Sequence, residues 1–433
     1  MKRLFLLLSV LLLGPLVTPA AAQTRVIVRT TLGLPGLQST CLLLGCTVKY
    51  GLGDPQGQLF LVTTSNLDPG SFLRSLRLQL GIVDAELDLL GKTQQATASG
   101  IPASLYDNTL VNYFGNSVWH GYVTQPASQI VRIADTQSAF NVRGSGIVAI
   151  IDTGIDPSHP AFSNVLVPGY DFTRNQDGTP SETADLSQST AAVVDQVQPA
   201  YVNQSTAAVV DQSTAAVVDT SQYVAFGHGT MVAGVVHLVA PKAMIMPLKS
   251  FRADGTGYTS DVLRAIYRSV QNNAKVINMS FSFAAYSQEL SQAVNYAGQK
   301  GVICVASAGN DGSKTIVYPA GFSSRVMSVA STTNNDTRST FSNYGSGMVW
   351  VAAPGEGIVT TYPFGTYAAA WGTSFSAPFV SGAAALLLDI NSCSESQAAK
   401  AVANAKWISY DLGNGRLDLY QAVQAWRQTL GLQ

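Results

Sequence analysis

Apolar runs that end in polar or small residues are the sequence feature that most constrains the fold of this chain. The run over 146–152 is apolar up to Asp152 and is followed by a glycine turn at Gly154. Such a run is typical of a parallel strand that is buried on both faces and carries a functional residue at its carboxyl end. Helical stretches at Ser260–Asn273 and Gln288–Gly301 separate later runs of the same kind. These later runs are Ala243–Leu248, Val276–Ser280, Val302–Ser307 and Val326–Ala330. The alternation predicts an α/β fold with a doubly wound, mostly parallel sheet covered on both sides by helices.

Residues 1–22 have the pattern of a secretory signal peptide. Lys2 and Arg3 precede an apolar run that ends at Val17, and small residues at 20–22 come before Gln23. That run is short for a membrane anchor, and no later stretch has the ~20 uninterrupted apolar residues that a span requires. We therefore expect a secreted protein, extracellular or periplasmic, with no membrane partner.

Composition excludes some other classes of function. Charged residues make up 12% of the 433 residues, and the net charge is −1. The chain therefore has no basic excess of the kind that binds nucleic acid. The number and spacing of the four cysteines indicate neither a disulfide scaffold nor a zinc site. Cys41 can pair with Cys46, and Cys304 with Cys393, but the sequence does not decide either pairing.

Residues 23–105 read as a small α/β module followed by a linker. Its pattern predicts the order β-α-β-β-α-β, which is that of a ferredoxin-like module. The predicted strands are Val26–Val28, Thr47–Tyr50, Leu59–Val62 and Val83–Leu90, and the predicted helices are Leu37–Leu44 and Asp68–Leu80. The residues after Gly91 are rich in Thr, Gln, Ala and Ser, a composition that favours proteolytic nicking.

A repeated octapeptide interrupts the α/β pattern. Gln-Ser-Thr-Ala-Ala-Val-Val-Asp occurs at 188–195, 204–211 and 212–219. Such a unit is too short for a solenoid. We interpret it as a duplication within a loop insertion at 185–220 and give it no catalytic role, although a ligand-binding repeat stays open.

The segment Gly372–Pro378 places one hydroxyl among small residues at the start of a helix. Ala and Leu recur at helical spacing beyond it, with almost no charge, so this helix is expected to lie in the core. We expect Ser374 at the helix N-terminus, with Pro378 in the first turn. Because a helix N-terminus favours a developing anion, Ser374 is a candidate nucleophile. An ordinary helix cap is the alternative.

Two further residues turn this candidate into a catalytic constellation. Of the four histidines, only His228 is packed among glycines, which leave room for a base to approach a carboxylate and a hydroxyl. Asp152, His228 and Ser374 supply a carboxylate, a base and a nucleophile in the order Asp, His, Ser. We expect Asp156 and His159, which lie close to Asp152 in the sequence, to be structural.

Four segments resemble the signature blocks of the subtilisin-like serine proteases, the subtilase or peptidase S8 family. They are Ile151-Asp152-Thr153-Gly154-Ile155-Asp156, Gly227-His228-Gly229-Thr230, Ser307-Ala308-Gly309-Asn310 and Gly372-Thr373-Ser374-Phe375-Ser376-Ala377-Pro378. The resemblance covers residues from about Asn112 to the C-terminus and implies a subtilisin-like peptidase domain at 106–433. By pattern alone, residues 23–105 resemble the inhibitory propeptide of that family.

The resemblance also implies the role of each site residue. Ser374 would attack a peptide carbonyl, His228 would accept and return the proton, and Asp152 would orient the imidazole. Asn310 would supply the oxyanion-hole amide together with the Ser374 N–H. Substrate would bind as an added strand. The walls of the groove that binds the substrate would be formed by Gly255, Gly257, Ser280, Ser282, Ala308 and Gly309.

Departures from the family pattern modify these expectations. Many relatives have glycine where this chain has Ser282 and Phe283, so side chains here are expected to narrow the substrate groove. Some relatives insert a calcium loop after the catalytic histidine, whereas residues 235–241 run through without carboxylates. We therefore expect no metal among the site residues and no cofactor, while a weak structural calcium site elsewhere stays open.

The sequence thus predicts a secreted serine endopeptidase that is made as a self-processed zymogen. Its expected partners are protein or peptide substrates and its own propeptide as an intramolecular inhibitor, and the expected state is a monomer. A catalytically silent scaffold on the same fold is the alternative, disfavoured because Asp152, His228, Asn310 and Ser374 are all present. A lipase or esterase is disfavoured because Ser374 does not lie in a Gly-x-Ser-x-Gly elbow.

Overall fold

The computed structural model describes residues 23–65, 68–93, 100–186, 200–201, 207–209 and 223–432. The predicted signal peptide, part of the linker and most of the repeat-containing insertion lie outside these residues. The chain divides into two compact units. The described part of the first comprises 23–50, 60–65 and 68–87, and the second comprises 51–59 and the described residues from 88 onward.

The N-terminal unit is an α/β module with its own apolar core around Val28, Val62 and Phe72. Its four-stranded sheet has the order β2-β3-β1-β4, and β1 and β4 pair antiparallel. Cys41 and Cys46 form a disulfide. The elements are β1 (Thr24–Thr30), α1 (Gly33–Leu44), β2 (Cys46–Gly51), β3 (Leu59–Thr64), α2 (Pro69–Arg77) and β4 (Ile82–Leu87).

Two predicted boundaries in this unit are wrong. Helix α2 begins as expected, with the Asp68 carboxylate accepting the Ser71 N–H at 3.2 Å, but it ends at Arg77 instead of Leu80. The reason is a turn closed by a hydrogen bond from the Ile82 N–H to the Gln79 carbonyl. The following strand ends at Leu87 instead of Leu90, and residues 90–92 form a separate strand within the second unit.

The second unit is built on an eight-stranded sheet with the order β10-β9-β13-β8-β15-β16-β17-β18. The neighbouring pairs from β9 to β18 are parallel, and only β10 pairs antiparallel. The strands of this sheet are β8 (Ile147–Asp152), β9 (Gly169–Asp171), β10 (Gln176–Gly178), β13 (Met244–Lys249), β15 (Val276–Met279), β16 (Ile303–Ser307), β17 (Met327–Thr332) and β18 (Val351–Pro354).

Smaller sheets complete the second unit. Strand β12 falls in the second copy of the octapeptide and pairs antiparallel with β20. The strands of these sheets are β5 (Leu90–Lys92), β6 (Leu110–Tyr113), β7 (Asn116–Trp119), β11 (Ala200–Tyr201), β12 (Ala207–Val209), β14 (Thr256–Tyr258), β19 (Ile358–Tyr362) and β20 (Thr366–Ala370). The prediction of a loop insertion at 185–220 stays a prediction.

Two groups of helices pack against the large sheet, which agrees with a mixed α/β fold rich in parallel strands. One group contains α6 and α9, and the other contains α7 and α8. The helices are α3 (His120–Thr124), α4 (Pro126–Ile130), α5 (Ile133–Phe140), α6 (His228–Val239), α7 (Thr259–Gln271), α8 (Gln288–Gln299), α9 (Thr373–Ile390), α10 (Glu395–Val402) and α11 (Leu419–Thr429). Helix α9 is long and apolar enough to cross a membrane, but most of it is buried as the core helix of this unit.

Cys304 and Cys393 are both free and buried, so the disulfide between them that the sequence left undecided is not formed. Burial raises the pKa of Cys304 to about 12 and that of Cys393 to about 11. Thiols with such values stay protonated at neutral pH and are poor nucleophiles.

Candidate functional site

The sheet changes winding direction at β8, and the candidate residues gather beyond the carboxyl ends of its strands. After β8 the chain adds β13 on one side, and it later adds β15 on the other side. Asp152 ends β8, Ser280 follows β15 and Asn310 follows β16. Ligands of open α/β sheets bind at such a switch point.

Asp152 and His228 are in direct contact. The Nδ1 atom of His228 lies 2.7 Å from Oδ1 of Asp152, and both side chains are buried. An ionised carboxylate can only accept, so Nδ1 carries a proton; in the neutral ring Nε2 then presents its lone pair. Nε2 is buried and has no hydrogen-bond partner among the described residues. The contact with Asp152 therefore fixes the orientation of the His228 ring and leaves Nε2 available on its other side.

Glycines on both sides allow His228 to reach this position. Gly227 has φ 87°, and a Cβ atom there would lie 2.3 Å from the Tyr362 ring. A Cβ atom on Gly229 would lie 2.1 Å from the Gly154 carbonyl oxygen. Both distances are shorter than any real contact, so a side chain at either position would force the surrounding structure to shift.

Ser374 lies in the first turn of α9, and Gly372 caps this helix with φ 142°. Its Oγ donates to the Ser280 carbonyl at 3.3 Å. Because Nε2 of His228 has no partner in the described part of the chain, a hydrogen bond between the base and this serine is not formed here. Catalytic hydrogen bonds are often long in structures without substrate and tighten on binding.

The prediction that Pro378 lies in the first turn is wrong. Helix α9 begins at Thr373, so Pro378 lies inside it, at the position that would donate to the Ser374 carbonyl. Proline has no N–H, and the Ser280 hydroxyl donates to this carbonyl instead at 2.8 Å. Ser280 thus bonds both the hydroxyl and the carbonyl of Ser374.

Asn310 presents an unused donor beside the helix start. Its Oδ1 accepts the Thr373 N–H at 2.9 Å and the Thr373 hydroxyl at 2.8 Å. A backbone N–H can only donate, so this contact fixes the orientation of the amide. Nδ2 is then left buried, with no partner within the described residues. A buried amide N–H without a partner is costly unless something fills the place opposite it.

Glu182 is a functional candidate that the sequence analysis missed. The carboxylate is fully buried and accepts the Thr153 hydroxyl, the Gly229 N–H at 3.2 Å, and both the N–H, at 3.2 Å, and the hydroxyl of Thr230. It therefore joins the residue after Asp152 to the two residues after His228. Burial raises the pKa of Glu182, while the hydrogen bonds from Thr153 and Thr230 lower it. Nothing in its local sequence marks this residue, because its partners come from distant segments.

Three of the predicted substrate-binding residues, Gly255, Gly257 and Ser282, pair with a strand of this same unit. Strand β5 pairs antiparallel with β14, so that Gly91 lies opposite Gly257. Lys92 exchanges two backbone hydrogen bonds with Ser282, at 3.0 and 2.9 Å, and the Thr93 N–H donates to the Gly255 carbonyl at 2.9 Å.

The remaining predicted groove residues lie beyond β16. The Gly309 N–H donates to the Thr373 hydroxyl at 3.2 Å, and Ala308 is fully buried. These contacts place Gly309 beside the start of α9, next to Asn310.

Asp156 and His159 lie near the site but bond to the scaffold. The Asp156 carboxylate accepts the N–H groups of Ser158, at 2.9 Å, and Phe364, at 2.7 Å. His159 donates through Nε2 to the Thr366 carbonyl at 2.8 Å. No group of three or more His, Cys, Asp or Glu side chains in the described ranges could hold a metal ion.

Several known proteins are similar to this chain in sequence or in fold. The family model described as the subtilase family matches residues 144–421. Thermitase of Thermoactinomyces vulgaris is 36% identical over 299 residues, which cover 65% of this chain and 90% of thermitase. A thermophilic serine proteinase of Bacillus sp. strain AK1 is 31% identical over 342 residues, 74% of each chain. Among solved structures, a lanthipeptide protease matches in fold with a TM-score of 0.55 and 21% identity, over 70% of this chain and 95% of its own. The chain therefore belongs to the subtilase family (peptidase S8) and is a serine endopeptidase by class.

Proposed function

We propose that this protein is a secreted endopeptidase that cleaves peptide bonds through an Asp152–His228–Ser374 triad and is made as a self-processed zymogen. The observation that carries the catalytic part is the buried 2.7 Å contact between Asp152 and His228, with Nε2 left to act as a base. A scaffold that had lost catalysis would have no need to keep this pair buried and oriented.

The chemistry follows from the placement of the three side chains. Ser374 Oγ attacks the carbonyl carbon of the substrate while Nε2 of His228 takes its proton. Asp152 stabilises the imidazolium that forms. The same proton then goes to the leaving amine, and water repeats the sequence to release the acyl group from Ser374. Side activity on esters follows from the same acyl transfer.

The oxyanion that forms in each step needs fixed donors. We assign this role to Nδ2 of Asn310 and the Ser374 N–H, at the positive end of α9. Thr373 holds the Asn310 carbonyl oxygen, so that Nδ2 is oriented before substrate arrives. The donor therefore does not have to reorient when negative charge develops on the substrate oxygen.

Self-inhibition is supported by residues 88–93. They directly follow the N-terminal unit in the chain, and β5 lies in the proposed substrate groove as an added strand. The Asp88 carboxylate anchors the segment, because it accepts the N–H and the hydroxyl of Ser260, each at 2.8 Å, at the start of α7. Substrate cannot enter while this segment is bound.

We further propose that the N-terminal unit is a ferredoxin-like propeptide, since its element order and its sheet order β2-β3-β1-β4 fit that fold. Residues 1–22 would direct export. The mature enzyme would be a monomer acting on proteins or peptides without a cofactor.

A fluorophosphonate probe tests the proposed nucleophile, because it phosphonylates serines that a neighbouring base activates. The probe should label one site in the wild-type protein, and peptide mapping should place it at Ser374. Labelling should be lost in Ser374→Ala and in His228→Ala. Ser376→Ala is the matched control, because its hydroxyl lies on the same helix but bonds the Pro354 carbonyl at 3.2 Å, and it should still be labelled. Equal labelling of Ser374→Ala and the wild type would reject the assignment.

A further inference from the structure

Strand β5 shows how an extended chain lies in the groove, with antiparallel partners on both sides. Gly91 lies opposite Gly257 on one side, and Lys92 bridges to Ser282 on the other. All of these residues belong to the second unit. The geometry is that of strand addition, in which backbone hydrogen bonds hold the peptide and pockets select its side chains.

The register of this ladder relates each bound position to Ser374. In an antiparallel pair, a strand that continues two residues beyond the place of Lys92 comes opposite Ser280. The Ser280 carbonyl accepts the hydrogen bond from Ser374 Oγ. In a peptide bound in this register, the residue two positions after the one at the place of Lys92 therefore has its carbonyl next to Ser374. The place of Gly91 is then the fourth residue before the cleaved bond.

The ring of Phe283 fills the space that a side chain at this fourth position would need. A Cβ atom on Gly91 would lie 2.5 Å from Cε1 and 2.8 Å from both Cδ1 and Cζ of Phe283. Gly91 does not have a positive φ, so its backbone conformation is open to any residue. The three atoms nearest to such a Cβ atom all belong to the ring of Phe283.

Phe283 is held in place on both its backbone and its ring. Its N–H donates to the Tyr318 carbonyl at 2.8 Å, and its carbonyl accepts the Tyr318 N–H at 2.9 Å. The ring packs edge-on against Phe281, with centroids 5.9 Å apart, and Phe281 packs against Phe251 at 4.8 Å. Phe283 is 1% exposed. A ring fixed in this way cannot move aside without disturbing its neighbours.

We propose that Phe283 is a specificity-determining residue that restricts substrates to glycine at the fourth residue before the cleaved bond. The proposal rests on the proposed function, since it takes the groove as the substrate site. The neighbouring position differs, because the Lys92 side chain is exposed. The chemical class of substrate is therefore an extended peptide with glycine at the fourth position and a free choice at the third.

Quenched fluorescent peptides test this on the enzyme that matures from the full chain. A peptide that carries Leu-Gly-Lys-Thr-Gln before the cleaved bond is compared with variants that have Ala, Leu or Phe in place of the glycine. Because a larger side chain would overpack a fixed site, we expect kcat/KM to fall by about tenfold or more for the Leu and Phe peptides. Phe283→Gly should restore the Leu peptide to within about threefold of the Gly peptide, and Phe283→Ala should restore it in part. Replacing Lys by Leu at the third position should change little in any enzyme.

A second measurement needs no catalysis. In the full-length Ser374→Ala protein, hydrogen exchange reports whether residues 88–93 stay bound in the groove. Gly91→Leu should speed exchange in this segment by about tenfold or more, and adding Phe283→Gly should restore protection. Lys92→Leu is the matched control and should leave protection unchanged.

The two measurements separate this inference from the proposed function. Equal wild-type cleavage of the Gly and Leu peptides, or unchanged exchange in Gly91→Leu, would overturn the role of Phe283. If no peptide is cleaved but exchange follows the predicted pattern, the proposed protease site fails, while the selectivity of the groove for glycine is supported.

Discussion

The Ser280 hydroxyl donates a 2.8 Å hydrogen bond to the main-chain carbonyl of Ser374. Helix α9 leaves this carbonyl without its helical donor, because Pro378 has no N–H. One serine thus satisfies a buried backbone group of the proposed nucleophile and also accepts, through its own carbonyl, the bond from the nucleophile's hydroxyl. Because Ser280 directly follows β15, this contact ties the groove to the helix that carries Ser374.

Ser280→Ala should lower the free energy of unfolding by about 1–3 kcal/mol, since it removes the buried hydrogen bond from the Ser280 hydroxyl to the Ser374 carbonyl. Urea unfolding should be measured in the Ser374→Ala background, which keeps this carbonyl and prevents self-digestion. Ser282→Ala is the matched control and should have a smaller effect, because its main contacts in the groove come from its backbone. Equal effects of the two substitutions would show that the Ser280 hydroxyl has no special role.

Asn310→Asp should lower kcat by about 10²–10³ with little change in KM, the magnitude known from subtilisin itself for loss of an oxyanion donor. The substitution keeps an oxygen that can accept from Thr373, and it replaces the Nδ2 donor with an oxygen that shares a negative charge and opposes the oxyanion. Circular dichroism should still show the fold of the wild type. Asn310→Ala, by contrast, should also destabilise the fold, because the Thr373 N–H loses its partner. Full activity in Asn310→Asp would refute the oxyanion assignment.

Glu182→Ala should lower kcat by about tenfold or more at nearly constant KM, because misplacing a reacting group is costly even when substrate binding is intact. Glu182→Gln should recover part of the loss, since it retains one accepting oxygen for the hydrogen bonds from Thr153 and Gly229. A positioning role predicts this split between kcat and KM. Glu395→Gln, on helix α10, is the control and should leave both constants unchanged. A change confined to KM would argue against positioning.

The buried histidines predict a loss of stability in acid. Burial lowers the pKa of His159 to about 4 and that of His237 to about 3. The unfolded state binds these protons near pH 6.5, so the two histidines cause no loss of stability above that pH. The free energy of unfolding decreases as the pH falls from about 6.5 towards the folded pKa values, by up to about 1.4 kcal/mol per pH unit for each histidine.

Urea unfolding of the Ser374→Ala protein between pH 4 and pH 7 measures this dependence. His159→Gln should be less stable at neutral pH. Its free energy of unfolding should also change less steeply with pH, by about the contribution of one proton. An unchanged slope would show that His159 is not the group that titrates.

The sequence could predict the large sheet because its strands are buried on both faces. Runs such as 146–152 admit almost no polar residue, so strand β8 and its final Asp152 were readable from composition and order. The limits of α2 were less readable, since a turn at Gln79 ends the helix although the apolar pattern continues to Leu80. Local hydrogen bonding overrode the pattern there.

The site was predictable where its residues lie in contiguous segments. His228 stands between two glycines, and Asp152 ends an apolar run that Gly154 follows, so both leave a local sequence signal. Glu182 left no such signal, because its four hydrogen bonds come from three residues that lie after β8 and at the start of α6. The narrowing expected at Phe283 could be anticipated from residue size, but the position that it closes depends on the register of β5.

Intact mass of the expressed full-length precursor tests the central claim most directly, with the wild type beside Ser374→Ala. If Ser374 is the nucleophile that matures the chain, the wild type should lose the N-terminal unit together with the signal peptide. Ser374→Ala should then lose only the signal peptide and keep residues 88–93 in the groove. If the purified Ser374→Ala precursor releases the N-terminal unit as fast as the wild type, self-processing by Ser374 is contradicted.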